Sequence, residues 1–506
     1  MRPRFLFDSV FAAGIGLASC FAATADSPLI QAAKSHDAAA ARALLEHHAD
    51  VNAQQGDGAT ALHWAAYHDD LALADALIRA GARVDAANDL GATPLHLACN
   101  NRNAAMVDRL LAAKANPNVR LLNGETVLMT CARAGSAAAV KALLVHGADV
   151  KAREPEHDQT ALMWAAANSH ADVTALLIEF GADVRARSRS YAQTVVGEQT
   201  QRAGREELNY TVMRGGSTPL LFAARAGDAE SAKLLLAAGA NPNDSLPDGT
   251  SALVLAAHSG HRDAGLALLE KGANPNDSGI GYTALHAAIL RSDVELVKTL
   301  VAHGADPNIR MTKATPVRRD STDYFLLAPL IGVTPYLLAA KFLEPQIMQA
   351  LLAAGADPKL TMPDGATALM LAAGSGSRTN ENRRGINVID FGKPEPEDRV
   401  LPAVESAWSA GGDVAASDSK GNAALHAAVT HRYPAVARFL MDHGADVNAR
   451  NQAGQTPLAL LETPQRPTEK PAALTAASAA GSGSEPQDAA ASRQIAELLR
   501  TRGGTK

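Results

Sequence analysis

The chain is short of nearly everything that marks a dedicated chemistry. Aromatic residues make up only 4% of its 506 positions, too few for one thick core built around large rings. Cysteine occurs three times, which excludes a disulfide framework, and no Cys-x-x-Cys pair exists for zinc or redox work. An excess of positive charge is missing as well: 47 Lys and Arg stand against 53 Asp and Glu, for a net charge of −6. A general nucleic-acid binder, which needs a strongly basic face to displace counterions, is therefore not expected. Long apolar runs are absent beyond the first 25 residues, so no membrane span is expected. What is abundant is Ala and Leu, which suits many thin helices packed closely. A length prior of about three domains gives way to a different organisation.

The first 25 residues read as an address. Arg2 and Arg4 give a positive start, the stretch from Ser9 to Ala23 is uninterrupted and apolar, and small residues precede Asp26. Such a stretch is short for a membrane span and fits a secretory signal cut after Ala25. A second reading stays open: Leu17-Ala18-Ser19-Cys20 resembles a bacterial lipobox, in which Cys20 would be lipidated and anchor the chain in the envelope. Either way export is expected, to a periplasmic, secreted or lipid-anchored location.

Self-similarity organises the rest. The phrase Thr-Ala-Leu-His-Trp-Ala-Ala begins at Thr60, with variants at Ser27, Thr93, Thr126, Thr160, Thr218, Ser251, Thr283, Thr334, Thr367, Ala423 and Thr456. The intervals are 33, 33, 33, 34, 58, 33, 32, 51, 33, 56 and 33. A second phrase, Gly-Ala-Asp/Asn, keeps step from Gly147 to Gly444. Within one unit, Thr60 is a helix N-cap, and where Pro follows the Thr it takes the first helical position, where no N–H is missed. A second helix, Leu71 to Arg79, is expected to end at Gly81, whose missing Cβ permits a left-handed turn. Helix, turn, helix, hairpin: neither helix buries its face alone, so units must stack.

These residues resemble the ankyrin repeat family. Thr93-Pro94-Leu95-His96-Leu97-Ala98 reproduces its phrase, and Leu143-Leu144-Val145-His146-Gly147-Ala148-Asp149 its second-helix end. The resemblance covers residues 27 to about 460 and implies an all-α solenoid of about twelve helix-turn-helix units with a concave recognition surface. His48 and Lys114 depart from the pattern by standing where Gly is expected. Met129, Met163, Leu221, Val254, Leu337, Met370 and Ala459 replace the motif His.

Three intervals exceed the period. Two lengthen hairpins, at about 188–214 and 310–331, and one separates the helices of a unit, at about 376–398. The solenoid is thus expected over 26–462. Residues 463–492 read as a low-complexity linker, and 493–506 as a closing helix or a tail.

Both long hairpins are locally basic and hold Tyr191, Tyr210, Tyr324 and Phe325, with Arg318 and Arg319 in the second. Arg and Tyr anchor interfaces, so a protein partner is expected in a palm between two fingers. The competing reading is that the insertions are merely tolerated and that Tyr324-Phe325-Leu326-Leu327 packs back on the stack. Seven residues after each motif Thr the chain is expected to face the concave side, giving Tyr67, Asn100, Arg133, Arg225, His258, Leu290 and Lys341 as contacts. Trp64 and Trp164 take the Leu slot of the motif and are expected in the core.

Sixteen histidines invite an active-site reading that spacing does not support. His63, His96, His286 and His426 lie three residues after a cap, where a ring can bond the cap backbone. His258 and His261 lack a third ligand at metal spacing. No nucleophile elbow, phosphate loop or zinc-protease motif is present, so no enzyme, metal or cofactor is expected. Cys99 and Cys131 fill small-residue slots of neighbouring units. Corresponding positions on stacked helices lie roughly 8–10 Å apart, beyond what a disulfide tolerates, so two buried free thiols are expected rather than a bridge. The function expected is a monomeric, non-catalytic interaction scaffold or adaptor of the cell envelope. A secreted effector or inhibitor acting on a foreign protein is the alternative.

Overall fold

A computed structural model describes residues 26–196, 209–315, 326, 328–374, 395–462 and 485–505. They form twenty-four α-helices in twelve pairs and a two-stranded hairpin. The chain divides into two compact units, residues 1–154 and 155–506. The first holds four helix pairs, from Pro28–Lys34 to Ala137–Val145, and the second holds eight, from Ala161–Ala167 to Glu485–Thr501. Within each unit, every first helix packs on its own partner and on the first helix of the next pair, while second helices stack on second helices.

The sequence explains the helix ends. Thr126, Thr218, Ser251, Thr334 and Thr367 cap with the hydroxyl, which accepts from the N–H three residues on. Where the motif His is present the cap gains a second bond, because the N–H of Thr60, Thr93 and Thr283 donates to the Nδ1 of His63, His96 and His286. The turn between helices needs a left-handed residue. Gly135, Gly227 and Gly260 supply it without strain, while Ser169, Ser292 and Leu343 adopt positive φ despite a Cβ. His48 and Lys114 adopt φ of 58° and 68° in their Gly slots.

Side-chain and main-chain bonds tie consecutive pairs together. Asn118 donates to Gly147 O and accepts from Asp149 N, and Asn243, Asn276 and Asn308 repeat this in the second unit. Hairpin tips bond through the backbone: Leu122 N donates to Leu90 O at 3.0 Å, and Gln452 N to Lys420 O at 2.8 Å.

The expectation of free thiols is corrected. Cys99 and Cys131 form a disulfide, with Cα atoms 4.6 Å apart. The reason is register. Cys99 lies six residues after Thr93, whereas Cys131 lies five after Thr126. They are not corresponding positions but the facing pair on adjacent first helices, where small residues let the backbones approach. Confining the unfolded chain over a separation of 32 residues stabilises the first unit by about 3–4 kcal/mol in a chain-entropy account.

The first long insertion is a β-hairpin, β1 (Tyr191–Val196) antiparallel to β2 (Asn209–Arg214), with Tyr191 opposite Arg214 and Thr194 opposite Thr211. The second carries no strand among its described residues. Its ends close on each other through Met311 N to Val333 O and Thr315 N to Leu326 O, both 2.9 Å, and Leu326 and Leu330 are buried. Most of the third insertion, 375–394, and residues 463–484 lie outside the described residues. The helix Glu485–Thr501 starts earlier than composition marks, and packs on Pro434–Asp442 and Pro457–Glu462.

Candidate functional site

Most first helices bury the first, second, third, fifth and sixth residues after the cap, and the fourth and seventh form a stripe that is open in some units and covered in others. In the first unit the stripe runs through Trp64 and Tyr67, then Leu97 and Asn100, and at the fourth pair only Arg133 is half-buried, since Thr130 is buried. Tyr67 is 49% exposed and contacts Trp64 and His68 edge-on. Lys34 lies over the Trp64 ring, whose Nε1 donates to Gln55. Arg133 is held by Glu125 at 3.0 Å, and Glu125 also accepts from Thr130.

In the second unit the same stripe shows Trp164 and Ala167, Phe222 and Arg225, Leu255 and His258. Trp164, Phe222 and Leu255 are half-buried, and Arg225 is exposed. The expected core placement of Trp64 and Trp164 is thereby corrected: the fourth position faces outward by one side because it lies one helical turn from the seventh. At the next helix the stripe closes, and all seven residues of Ala284–Leu290 are buried. Leu290 therefore offers nothing to a partner, a correction to its expected role. His258 lies beside Tyr282, whose hydroxyl is 3.5 Å from Nδ1, and burial pushes the Tyr282 phenol up to about 12. Lys341 is half-buried at the end of Pro335–Lys341.

The two insertions share a root. Arg189 N donates to His157 O at 2.6 Å, and Thr312 N to Gly281 O at 2.7 Å, keeping the bond that joins neighbouring tips before each insertion departs. One arginine then bridges each neck. Arg187 donates to Gly216 O and Ser245 O, and Arg310 to Gly332 O and Thr361 O. Arg120 makes the equivalent pair of bonds in the first unit, where nothing is inserted. Among the described residues, four arginines at the root of the first finger have partners there: Arg187 pairs with Asp244, Arg189 with Asp158, Arg185 donates to Gly239 O and Arg214 to Gln193. Tyr191 is exposed and meets the His157 ring edge-on. The side chain of Tyr210, and the whole of Arg318, Arg319, Tyr324 and Phe325, lie outside the described residues, as does Cys20.

The motif histidines bind backbone. His63 Nε2 lies 3.0 Å from Ala92 O, and the Nε2 atoms of His286 and His426 each lie 3.4 Å from a carbonyl of the following pair. Burial lowers all four pKa values, to about 4 for His96 and His286. Among the described residues no cluster of His, Cys, Asp or Glu is arranged to hold a metal ion, and no helix is long and apolar enough to cross a membrane.

A profile described as three ankyrin repeats matches residues 29–121, 95–188 and 220–311, and a single ankyrin repeat matches 420–452. Together these matches cover more than half of the chain. The chain belongs to the ankyrin repeat family. It is similar to the human ASB11 ankyrin repeat domain, whose crystal structure is 27% identical and has a TM-score of 0.40. That likeness covers 49% of this chain and 99% of the other. Ankyrin repeats indicate a protein–protein interaction scaffold, acting through the surface that the stacked units display. From the sequence of this ankyrin stack, only the seventh position is expected to face the concave side, with the fourth placed in the core. The signal was available in Trp64, Trp164 and Phe222, three large rings in a slot that most other repeats fill with Leu or Ala.

Proposed function

We propose that the protein is a non-catalytic scaffold of the cell envelope that holds a protein partner along the stripe of its second unit, beside the β-hairpin. The observation that carries this is Arg225. It stands exposed on the stripe next to Phe222, and among the described residues no carboxylate forms an ion pair with it. A charged guanidinium flanked by half-buried Trp164, Phe222 and Leu255 is the composition of an interface anchor, and it suits an extended segment carrying an acidic residue. The stripe spans three consecutive helix pairs and stops where Ala284–Leu290 is covered, which sets the length of segment it takes.

Location in the envelope is supported by the leader and by the Cys99–Cys131 bridge, since disulfides persist in oxidising compartments. The intact mass of the mature chain, beginning at Asp26 or at a lipid-bearing Cys20, decides between soluble export and an anchor.

The test of the site is capture from an extract of the source cell on the immobilised chain. It is run beside Arg225→Glu and beside a chain with residues 191–213 replaced by a short turn. A partner retained by the wild type and lost from Arg225→Glu, with unchanged circular dichroism, is the expected result. Retention by Arg225→Glu removes the stripe as the docking surface. Retention by the trimmed chain alone leaves the stripe and removes the hairpin from the site. If the extract yields no partner at all, the resident scaffold gives way to an effector acting on a foreign protein.

A further inference from the structure

The Cys99–Cys131 bridge lies where no solution reagent reaches, since both cysteines are fully buried. It also lies in the seam where the first helices of adjacent pairs meet. The two slots it joins, the sixth position of one unit and the fifth of the next, hold alanine in most other units, as at Ala65, Ala66, Ala165, Ala166, Ala223 and Ala224, all buried. Their Cα atoms are 4.6 Å apart across the two helices. Two methyl groups fill such a seam. Two unbonded thiols place two further large atoms, in mutual repulsion, into a space already packed to interior density.

We infer that the first unit has two redox states of unequal packing and that the bridge closes before the seam does. In the incompletely stacked chain, one cysteine thiolate attacks a sulfur of an external disulfide, a small-molecule or protein disulfide of an oxidising compartment. A mixed disulfide forms and one thiolate leaves. The second cysteine thiolate then attacks the cysteine sulfur of the mixed disulfide, closes Cys99–Cys131 and releases the second thiolate. In sum, two cysteine thiols and one external disulfide give the bridge and two external thiols, with no other oxidant needed. Once Pro94–Asn100 and Val127–Ala134 pack together, the bond is shielded from reduction. The bridge thus records passage through an oxidising compartment and makes completion of the first unit depend on it.

The test compares three preparations of the full chain: bridged wild type, wild type refolded and kept in dithiothreitol, and Cys99→Ala/Cys131→Ala, which installs what other units carry. Hydrogen exchange over residues 94–100 and 127–134 is expected to be slowest in the bridged chain, intermediate in the alanine variant and fastest in the reduced wild type. Alkylation mapped to each cysteine by mass spectrometry, Cys20 included, follows the bridge itself. Dithiothreitol is expected to reduce it about 100-fold more slowly in native buffer than in guanidinium, because attack requires local opening. Reduced wild type as well protected as the alanine variant would show that the seam holds two thiols and overturn the packing claim. Oxidised glutathione bridging the folded, reduced chain as fast as the unfolded one would overturn the order of closure.

Discussion

Arg187 reaches across the neck of the β-hairpin to the carboxylate of Asp244, which also accepts from the Thr218 hydroxyl at 2.6 Å. The two residues stand on either side of the insertion, so their bond holds the following helix pair in register whatever the hairpin does. Asp244 is nearly buried, its side chain only 10% exposed, and its carboxylate faces the Arg187 guanidinium. Arg187→Ala strands that charge and is expected to lower stability by about 2 kcal/mol. Arg185→Ala, which loses one exposed bond to Gly239 O, is expected to cost well under 1 kcal/mol. Equilibrium unfolding in urea separates the two. Equal effects would mean that the neck is held by the backbone alone.

The motif histidines make the fold acid-sensitive within a defined window. Each Nδ1 accepts from a backbone N–H, so the ring must be neutral with its proton on Nε2. Protonation at Nδ1 opposes that N–H. His96 and His286 titrate at about 4 in the folded chain, against 6.5 for the free side chain. Between these values the unfolded chain binds more protons than the folded one, so stability is full above pH 6.5 and falls as the pH drops toward 4. The loss approaches about 3 kcal/mol for each ring. His286→Leu, a residue that Leu221 and Leu337 already place in this slot, is expected to flatten the pH dependence of the urea midpoint in the second unit. An unchanged slope would assign the acid sensitivity to other groups.

Much of this was legible in the sequence because a repeat multiplies every weak signal. The cap Thr, the helix-ending Gly and the period recur often enough to fix helix limits such as Leu71–Arg79 to the residue. What escaped was the relation between units. Cys99 and Cys131 look like equivalents until their distances from Thr93 and Thr126 are compared, and an offset of one position turns distant neighbours into facing atoms. Arg187 and Arg310 read as free charge on a loop, whereas each satisfies carbonyls on a chain segment more than twenty residues away. Leu290 occupies the same slot as Arg225 and differs only in being covered, a property of the surrounding chain rather than of the residue.

Lys114 tests the value of a single backbone angle. It adopts φ of 68° at the helix end where the next pair has Gly147 at 88°, and its side chain is exposed. A Cβ at positive φ costs about 1–2 kcal/mol, part of which glycine returns as unfolded-chain entropy. Lys114→Gly is therefore expected to stabilise the first unit by about 0.5–1 kcal/mol. The reverse experiment, Gly147→Ala, has no steric neighbour within 4 Å, so any loss in it reports the angle alone. Thermal denaturation that moves the two variants the same way would contradict this account.

Asn448 shows how the closing helix is held. Its Nδ2 donates to Gly503 O at 3.0 Å, and its Oδ1 accepts from Thr505 N at 2.7 Å. These are the bonds that Asn308 makes to Gly355 and Asp357 between ordinary pairs. Gly503 thus occupies the helix-ending slot of a twelfth unit, and Glu485–Thr501 is its second helix, placed by side-chain recognition rather than by a short connection. Among the described helices it packs chiefly on Pro434–Asp442 and Pro457–Glu462, so few other contacts share the loss of these bonds. Asn448→Ala is expected to remove about 1–2 kcal/mol from the local stability of this helix. Hydrogen exchange over residues 489–501 should quicken about tenfold, while Ala161–Ala167 stays unchanged. Asn308→Ala, flanked by units on both sides, should instead lower the protection of its neighbours together. If Asn448→Ala leaves residues 489–501 as protected as before, the apolar contacts of Ile495 and Leu499, both fully buried, hold the helix without the ladder.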